Sequence, residues 1–311
     1  MEIKQVLNQY YLYRLLAYWV QKISININPR LEIERNYVAQ FGKKPNLRHP
    51  KNLIEKIYWM SLHCDLSEWT LCADKFRMRQ IVEKKGCGKY LPKLYGVWDN
   101  PKDIDWDNLP HQFVIKANNG CGTVLIVKDK EQLDLKATSK KIRQWLAIPY
   151  GYRGFQPHYL GIKPCILAEE MLQQNKELDI ISPNSMVDFK VWAFNGHVES
   201  CFVAYNRQKG NLNVDLYDSN WNRLLESVKS HGIDRVSPDI SFPKPKCWNE
   251  MKTIASQISK GMPQVRVDFY IVNDQPVIGE LTMATGYGYF TEEYYNHLGD
   301  LTDVTLIKKI K

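Results

Sequence analysis

The chain has 311 residues, 44% apolar and 24% charged, with a net charge of +8 spread along its length. Such a chain buries a substantial core in two or three closely packed lobes, and dispersed positive charge suits an anionic small substrate, a phosphorylated cofactor or a membrane surface. No nucleic-acid-binding module is recognisable, and seven scattered cysteines without a C-x-x-C pair argue against a zinc site or a disulfide framework and fit a reducing cytoplasm.

In chain order, residues 10–20 are unusually aromatic, too short to span a bilayer and not followed by a signal-cleavage site. They read first as a core helix and second as an interfacial helix resting on a membrane through Tyr13, Tyr18 and Trp19. Breaks at Asn28-Pro29-Arg30 and Gly42-Lys-Lys-Pro45 follow, then a helix near residues 53–60. Asp74 is placed to cap a helix carrying Phe76, Met78 and Val82, closed by Gly86. Residues 113–127, FVIKANNGCGTVLIV, are two β-branched runs joined by a turn with Gly120 and Gly122, a hairpin pattern. A mixed region covers 132–148, and a Gly/Tyr/Pro-rich loop covers 149–164. Strand signals then cluster: a short run at 165–168, a pair at 187–194 and 198–205 around Asn195-Gly196, and a pair at 265–272 and 276–281 around Asn273-Asp274. Between the pairs, Asn249 is expected to cap a helix with Met251, Ile254, Ala255 and Ile258 at i, i+3, i+4 and i+7, ended by Gly261. No internal repeat or low-complexity segment is present. Helices mixed with mostly antiparallel strands predict an α+β fold.

Alternation along these strands gathers polar side chains. Val114, Lys116 and Asn118 share one face of the lysine strand, and Phe113, Ile115 and Ala117 the other. A lysine just before a glycine-rich turn can set its ammonium against phosphates while the turn's N–H groups close over them; a solvated lysine beside an ordinary turn is the alternative. Asp188, Lys190 and Trp192 share a face, as do Arg266, Asp268 and Tyr270, and Glu280 and Thr282. Hard oxygen donors such as Asp268 and Glu280 suit Mg2+, and Lys116, Lys190 and Arg266 suit charge on a transferred phosphoryl group. Taken strand by strand, a sheet with one wet face explains the same pattern.

Eight segments in this order resemble the ATP-grasp superfamily, and more closely its TupA-like branch, named for teichuronopeptide synthesis. They are His49-Pro-Lys-Asn-Leu-Ile-Glu-Lys-Ile57, Asp74-Lys-Phe-Arg-Met-Arg79, Leu91-Pro-Lys-Leu-Tyr-Gly-Val-Trp98, the lysine hairpin, Ile162-Lys-Pro-Cys-Ile-Leu-Ala-Glu-Glu170, Asp188-Phe-Lys190, Val265-Arg-Val-Asp-Phe-Tyr270 and Gly279-Glu-Leu-Thr282. The resemblance implies an ATP-grasp fold, with nucleotide held between two α+β lobes and a helical N-terminal extension. It divides the chain into a helical segment 1–48, an N-terminal portion 49–110, a lysine-hairpin and glycine-loop lobe 111–170 ending at a hinge, and a C-terminal metal-binding lobe 171–311.

The resemblance also implies roles. Lys75 and Lys116 would contact the ATP phosphates, under a mobile loop containing Asn119, Gly120, Gly122 and Thr123. Glu169, Glu170 and Met171 would form the hinge strand that reads adenine, and Glu177 would hold the ribose. Lys190 and Arg266 would act at the γ-phosphate and the acyl phosphate. Asp268 and Glu280 would bind Mg2+, with Thr282 where the wider superfamily commonly has asparagine. Arg153 and His158, in the aromatic loop, are candidates for substrate contact. The implied activity is an ADP-forming carboxylate–amine ligase working through an acyl phosphate. Its partners would be an amino acid or amine and a hexuronic acid on a sugar nucleotide, lipid-linked sugar or polysaccharide, in capsule or other cell-surface assembly. The expected location is the cytoplasm, at the inner face of the plasma membrane if the N-terminal helix makes peripheral contact. A sugar or glycan kinase and a non-catalytic nucleotide-binding partner of a glycosyltransferase are the alternatives.

Overall fold

A computed structural model describes residues 11–208, 211–229 and 241–310. In chain order its helices are α1 (Tyr11–Ile27), α2 (Pro29–Phe41), α3 (Leu53–His63), α4 (Ser67–Ala73), α5 (Met78–Lys84), α6 (Leu135–Ala147), α7 (Lys176–Ile181), α8 (Trp248–Ser259) and α9 (Glu292–Asp300). The strands are β1 (Leu94–Trp98), β2 (Phe113–Ala117), β3 (Val124–Val127), β4 (Ile166–Glu169), β5 (Asp188–Phe194), β6 (His197–Gln208), β7 (Asn211–Asp218), β8 (Val265–Val272) and β9 (Gln275–Thr282). The chain forms two compact units assembled from interleaved segments. The first takes the chain up to Asn36 with Leu66–Met78 and Pro92–Leu172; the second takes Tyr37–Asp65, Arg79–Leu91 and Gln173–Lys311.

The first unit is built on an antiparallel sheet of order β1-β4-β2-β3. Phe113, Ile115 and Ala117 alternate into its core, fully buried, while Val114 and Lys116 stay half-buried. That core is closed by α6, in the stretch that the sequence leaves as a mixed region. Asp134 caps α6 by accepting from the Ala137 amide at 2.9 Å, and Thr138, Ile142 and Trp145 are buried one turn apart. Helix α1 also belongs to this unit but is no core helix, because Ile25 is its one buried residue. Its opposite face meets solvent, so the first of the two readings of this segment gives way.

The second unit is built on an antiparallel sheet of order β7-β6-β5-β8-β9. Its hairpin turns lie where the dipeptides place them, with φ +46° and +92° at Asn195-Gly196 and +51° and +59° at Asn273-Asp274. Two successive left-handed residues match the right-handed twist of the flanking strands. Helix α8 packs across β5, β6 and β8 through Met251, Ile254, Ala255 and Ile258, all buried. It begins one residue before Asn249, at Trp248, with Cys247 in the cap position and no side-chain cap. The buried Trp248, whose indole N–H donates to the Ser219 carbonyl at 3.1 Å, sets that start in place of the asparagine.

The family-like opening at residues 49–57 is a capping box for α3. Asn52 Oδ1 accepts from the Glu55 amide at 2.9 Å, and Glu55 Oε2 accepts from the Asn52 amide at 3.4 Å. Glu55 also accepts from the Asn46 and Lys51 amides. Lys56 donates to the carbonyls of Gly299 and Thr302 at 2.7 and 2.9 Å, tying α3 to the end of α9.

Candidate functional site

In the first unit, Lys116 lies on β2 directly opposite Leu167, with Glu169 two residues along β4. This diagonal brings Lys116 Nζ to 2.6 Å from Glu169 Oε2. The Glu169 side chain is buried and is spent on the lysine; Glu170 is exposed, and its amide donates to the Lys93 carbonyl at 2.9 Å. Met171 follows, half-buried.

The glycine turn closes on the same strand. Ala117 donates its amide to the Thr123 carbonyl at 3.0 Å, and Thr123 Oγ1 donates back to the Ala117 carbonyl at 3.4 Å. Gly122, at φ +75°, occupies the one turn position where a Cβ would be strained. Lys75, 8% exposed, reaches across to donate from Nζ to the Gly120 carbonyl at 2.6 Å. Asn119 is buried in the turn, and its Oδ1 has no hydrogen-bond partner among the described residues.

Asn118 holds this arrangement together. Its Oδ1 accepts from the Cys165 amide at 2.7 Å, its Nδ2 donates to the Lys163 carbonyl at 3.0 Å, and its carbonyl accepts from the Lys75 amide at 3.3 Å. Alternation places Asn118 beside Lys116 but gives no hint of these links, which join three separate stretches of chain.

The aromatic loop forms two short 3-10 turns, Tyr150–Tyr152 and Pro157–Gly161. Tyr150 lies against the glycine turn, its Cβ 3.2 Å from where a Gly120 Cβ would stand. The two substrate candidates here part company. Arg153 is exposed at the tip, whereas His158 is 1% exposed, set edge-on to Trp69 and against Tyr159. Burial lowers the His158 pKa to about 3, so the ring is neutral and belongs to the core of this unit.

In the second unit, register assembles the other set. Lys190 pairs with Asp268 across β5 and β8, Asp268 with Glu280 across β8 and β9, and Arg266 with Thr282 two residues away on the same face. Asp268, 4% exposed, accepts from Lys190 Nζ at 2.6 Å, from Arg266 Nε at 2.7 Å and from Arg266 Nη2 at 2.7 Å. Burial alone would raise its carboxyl, but the guanidinium and the ammonium outweigh it and hold Asp268 below the usual range. Burial would likewise lower Lys190; the carboxylates of Asp188, 3.4 Å away, and Asp268 turn that into a rise. Thr282 Oγ1 accepts from Arg266 Nη2 at 3.0 Å.

Two members of this set go unmarked in the sequence reading as site residues. Thr285 Oγ1 accepts from Arg266 Nη1 at 2.9 Å, from a loop whose return no periodicity reports. Asp188 shares its strand face with Lys190, and its charge and burial raise the hydroxyl of Tyr270 well above its ordinary value. Glu177 stands apart. It is exposed on α7, whose preceding residue Asn175 donates to Asp274 at 2.7 Å, at the turn end of the β8–β9 hairpin. That turn begins five residues along from Asp268, past four steps of strand to Val272 that span about 13 Å.

Oxygen donors on adjacent strands and lysines beside a glycine turn, carried by two antiparallel sheets with helices, define an ATP-grasp protein. Residues 55–303 match the family described as TupA-like ATPgrasp, and the chain belongs to that family, within the ATP-grasp superfamily. Among solved structures it is similar to D-alanine–D-alanine ligase from Bacillus anthracis complexed with ATP, at 14% identity over 77% of this chain and 67% of that one, with a TM-score of 0.48. It is also similar to L-amino acid ligase from Bacillus licheniformis, at 15% identity, 83% and 55% coverage and a TM-score of 0.44. The chain thus spans 67% of the first and 55% of the second. No protein of curated function matches the sequence.

Proposed function

We propose that this protein is an ADP-forming ligase that joins an amine to a carboxylate. The γ-phosphoryl group of ATP passes to a carboxylate oxygen and ADP leaves. The amine nitrogen then attacks the activated carbonyl carbon, the carbonyl–oxygen bond to phosphate breaks, and the nitrogen gives up a proton as the amide forms. The observation that carries this reading is the buried cluster in which Lys190 and Arg266 bracket Asp268 beside Glu280. Two cations and two carboxylates in register suit phosphoryl transfer, in which the protein positions groups and neutralises charge.

Carboxylate and hydroxyl oxygens are the donor type that Mg2+ takes. Among the described residues, however, no three metal-ligating acids, histidines or cysteines are gathered, and the Asp268 oxygens are engaged by Lys190 and Arg266. Asp268 and Glu280 would hold the ion and Thr282 would contribute a hydroxyl; when bound, it would neutralise phosphate charge. Lys190 and Arg266 neutralise the phosphoryl oxygens. Lys116, oriented by Glu169, and Lys75 bind the nucleotide's phosphates, and the turn from Asn119 to Thr123 covers them. The carboxylate is assigned to a hexuronic acid on a sugar nucleotide, lipid-linked sugar or polysaccharide, and the nitrogen to an amino acid or amine, in cell-surface polysaccharide assembly. This assignment is supported by the TupA-like membership and by the net charge of +8, which suits an anionic acceptor.

The test offers purified protein Mg-ATP, uronic acid sugar nucleotides and pools of amino acids, and follows ADP, phosphate and product mass. ADP and phosphate released only with both partners, together with a new amide mass, is the expected result. A stable phosphosugar without phosphate release would make the protein a kinase, and ATP binding without turnover would make it a non-catalytic partner.

A further inference from the structure

Helix α1 exposes Leu12, Leu16, Trp19, Val20, Ile23 and Ile27, at 72%, 67%, 49%, 64%, 57% and 77% of their surface. At about 100° per residue these side chains fall within one stripe about 100° wide along the whole helix. The opposite face is the docked one. Ile25 is buried there, and the Tyr18 ring meets Tyr152 edge-on at 5.6 Å. A continuous apolar stripe of this size is costly to leave in water and marks a surface that something covers.

We propose that α1 lies flat on a membrane whose surface is anionic. The charge along the segment selects this occupant. Residues 11–31 carry Arg14, Lys22 and Arg30 and no aspartate or glutamate. Lys22 Nζ sits 4.9 Å from the Trp19 ring and 5.9 Å from that of Tyr152, so cation and aromatics are gathered as in a helix at the headgroup level. Of these cations Lys22 borders the stripe, whereas Arg14 falls on the docked face and Arg30 lies on α2. Lipid phosphates neutralise Lys22, and the acyl boundary takes the leucines, isoleucines and valine. A second copy of the chain fits less well, because it would bring Lys22 at the stripe's edge toward its own counterpart with no carboxylate in the segment to pair with. Among the described residues no helix is long and apolar enough to cross a membrane, and α1, about 26 Å long, is suited to lying in the interface plane. This surface is independent of the ligase reading, since none of its residues belongs to the nucleotide or metal sets.

The test is co-sedimentation of the full chain with phosphatidylcholine vesicles, with and without phosphatidylglycerol. The expected result is binding that needs phosphatidylglycerol, weakens with salt, and falls more than about tenfold in Leu16→Glu/Ile23→Glu. Both positions are exposed, so the melting curve and ATP binding of this variant stay as in the parent. Trp19→Phe should remove a blue shift of emission on vesicle addition. Equal partitioning of parent and variant, or no binding by the parent, would overturn the proposal. A parent dimer that the double variant splits into monomers, without vesicle binding, would assign the stripe to a second copy instead.

Discussion

Asp268 makes three hydrogen bonds, all with cations, and is almost fully buried. Taking away one partner of such a cluster strands charge in a poor solvent, so Lys190→Ala should cost about 3 kcal/mol of stability as well as activity, read in a urea titration. Glu280, half-buried on the neighbouring strand, is a different case. Glu280→Ala should lower turnover by about a hundredfold or more while stability changes by less than about 1 kcal/mol; near-normal activity would remove Glu280 from the metal set. His158 supplies a pH dependence. Its folded pKa of about 3 lies below the ordinary histidine value, so the unfolded chain binds the extra proton between the two. Its contribution is therefore complete above about pH 6.5 and is lost as pH falls toward 3, at about 1.4 kcal/mol per pH unit. His158→Phe should flatten that slope in acid-dependent melting curves; an unchanged slope would place its origin elsewhere.

At the scale of elements, one bulge decides where Glu280 points. Asp268 pairs with Glu280, but Phe269 pairs with Ile278, so Gly279 is the extra residue on β9. Its position is tight, since a Cβ there would stand 2.8 Å from Cε2 of Tyr270. Gly279→Ala should therefore destabilise by about 1–3 kcal/mol and reduce turnover by shifting Glu280, seen in melting and in kcat. Gly299→Ala is a purely structural control. A Cβ there would overlap the Lys51 carbonyl oxygen, so stability should fall where α9 crosses the start of α3. The hairpins were legible because Asn195-Gly196 and Asn273-Asp274 are turn chemistry that any fold must obey. The site strands are legible because alternation sorts Lys190, Asp268 and Glu280 from their apolar neighbours. Helix α6 reads as a mixed stretch because its three buried positions sit among lysines and polar residues, although Asp134 and the spacing of Thr138, Ile142 and Trp145 carry the signal. The start of α8, the links made by Asn118 and the hold of Thr285 on Arg266 depend on partners far away in sequence, and no local pattern encodes them. The burial of His158 and the exposure of α1 were hidden for the same reason.

Over the whole molecule, each compact unit draws on distant stretches of chain, and the candidate groups are divided between the units. Lys75, Lys116 and the glycine turn belong to the first, and Lys190, Arg266, Asp268 and Glu280 to the second. Mg-ATP binding should raise the melting temperature, by an amount equivalent to about 2.7 kcal/mol at a hundred times Kd. Lys116→Met should weaken that shift by weakening nucleotide binding, whereas an unchanged shift would mean that Lys116 does not touch the nucleotide. The central claim is that oxygen of the substrate carboxylate becomes bonded to phosphorus. Once the substrate pair is known, the direct measurement is turnover of a carboxylate labelled with 18O, with the released phosphate analysed by mass. An acyl-phosphate ligase transfers one labelled oxygen to phosphate for every amide formed. Amide formation with unlabelled phosphate would contradict the account.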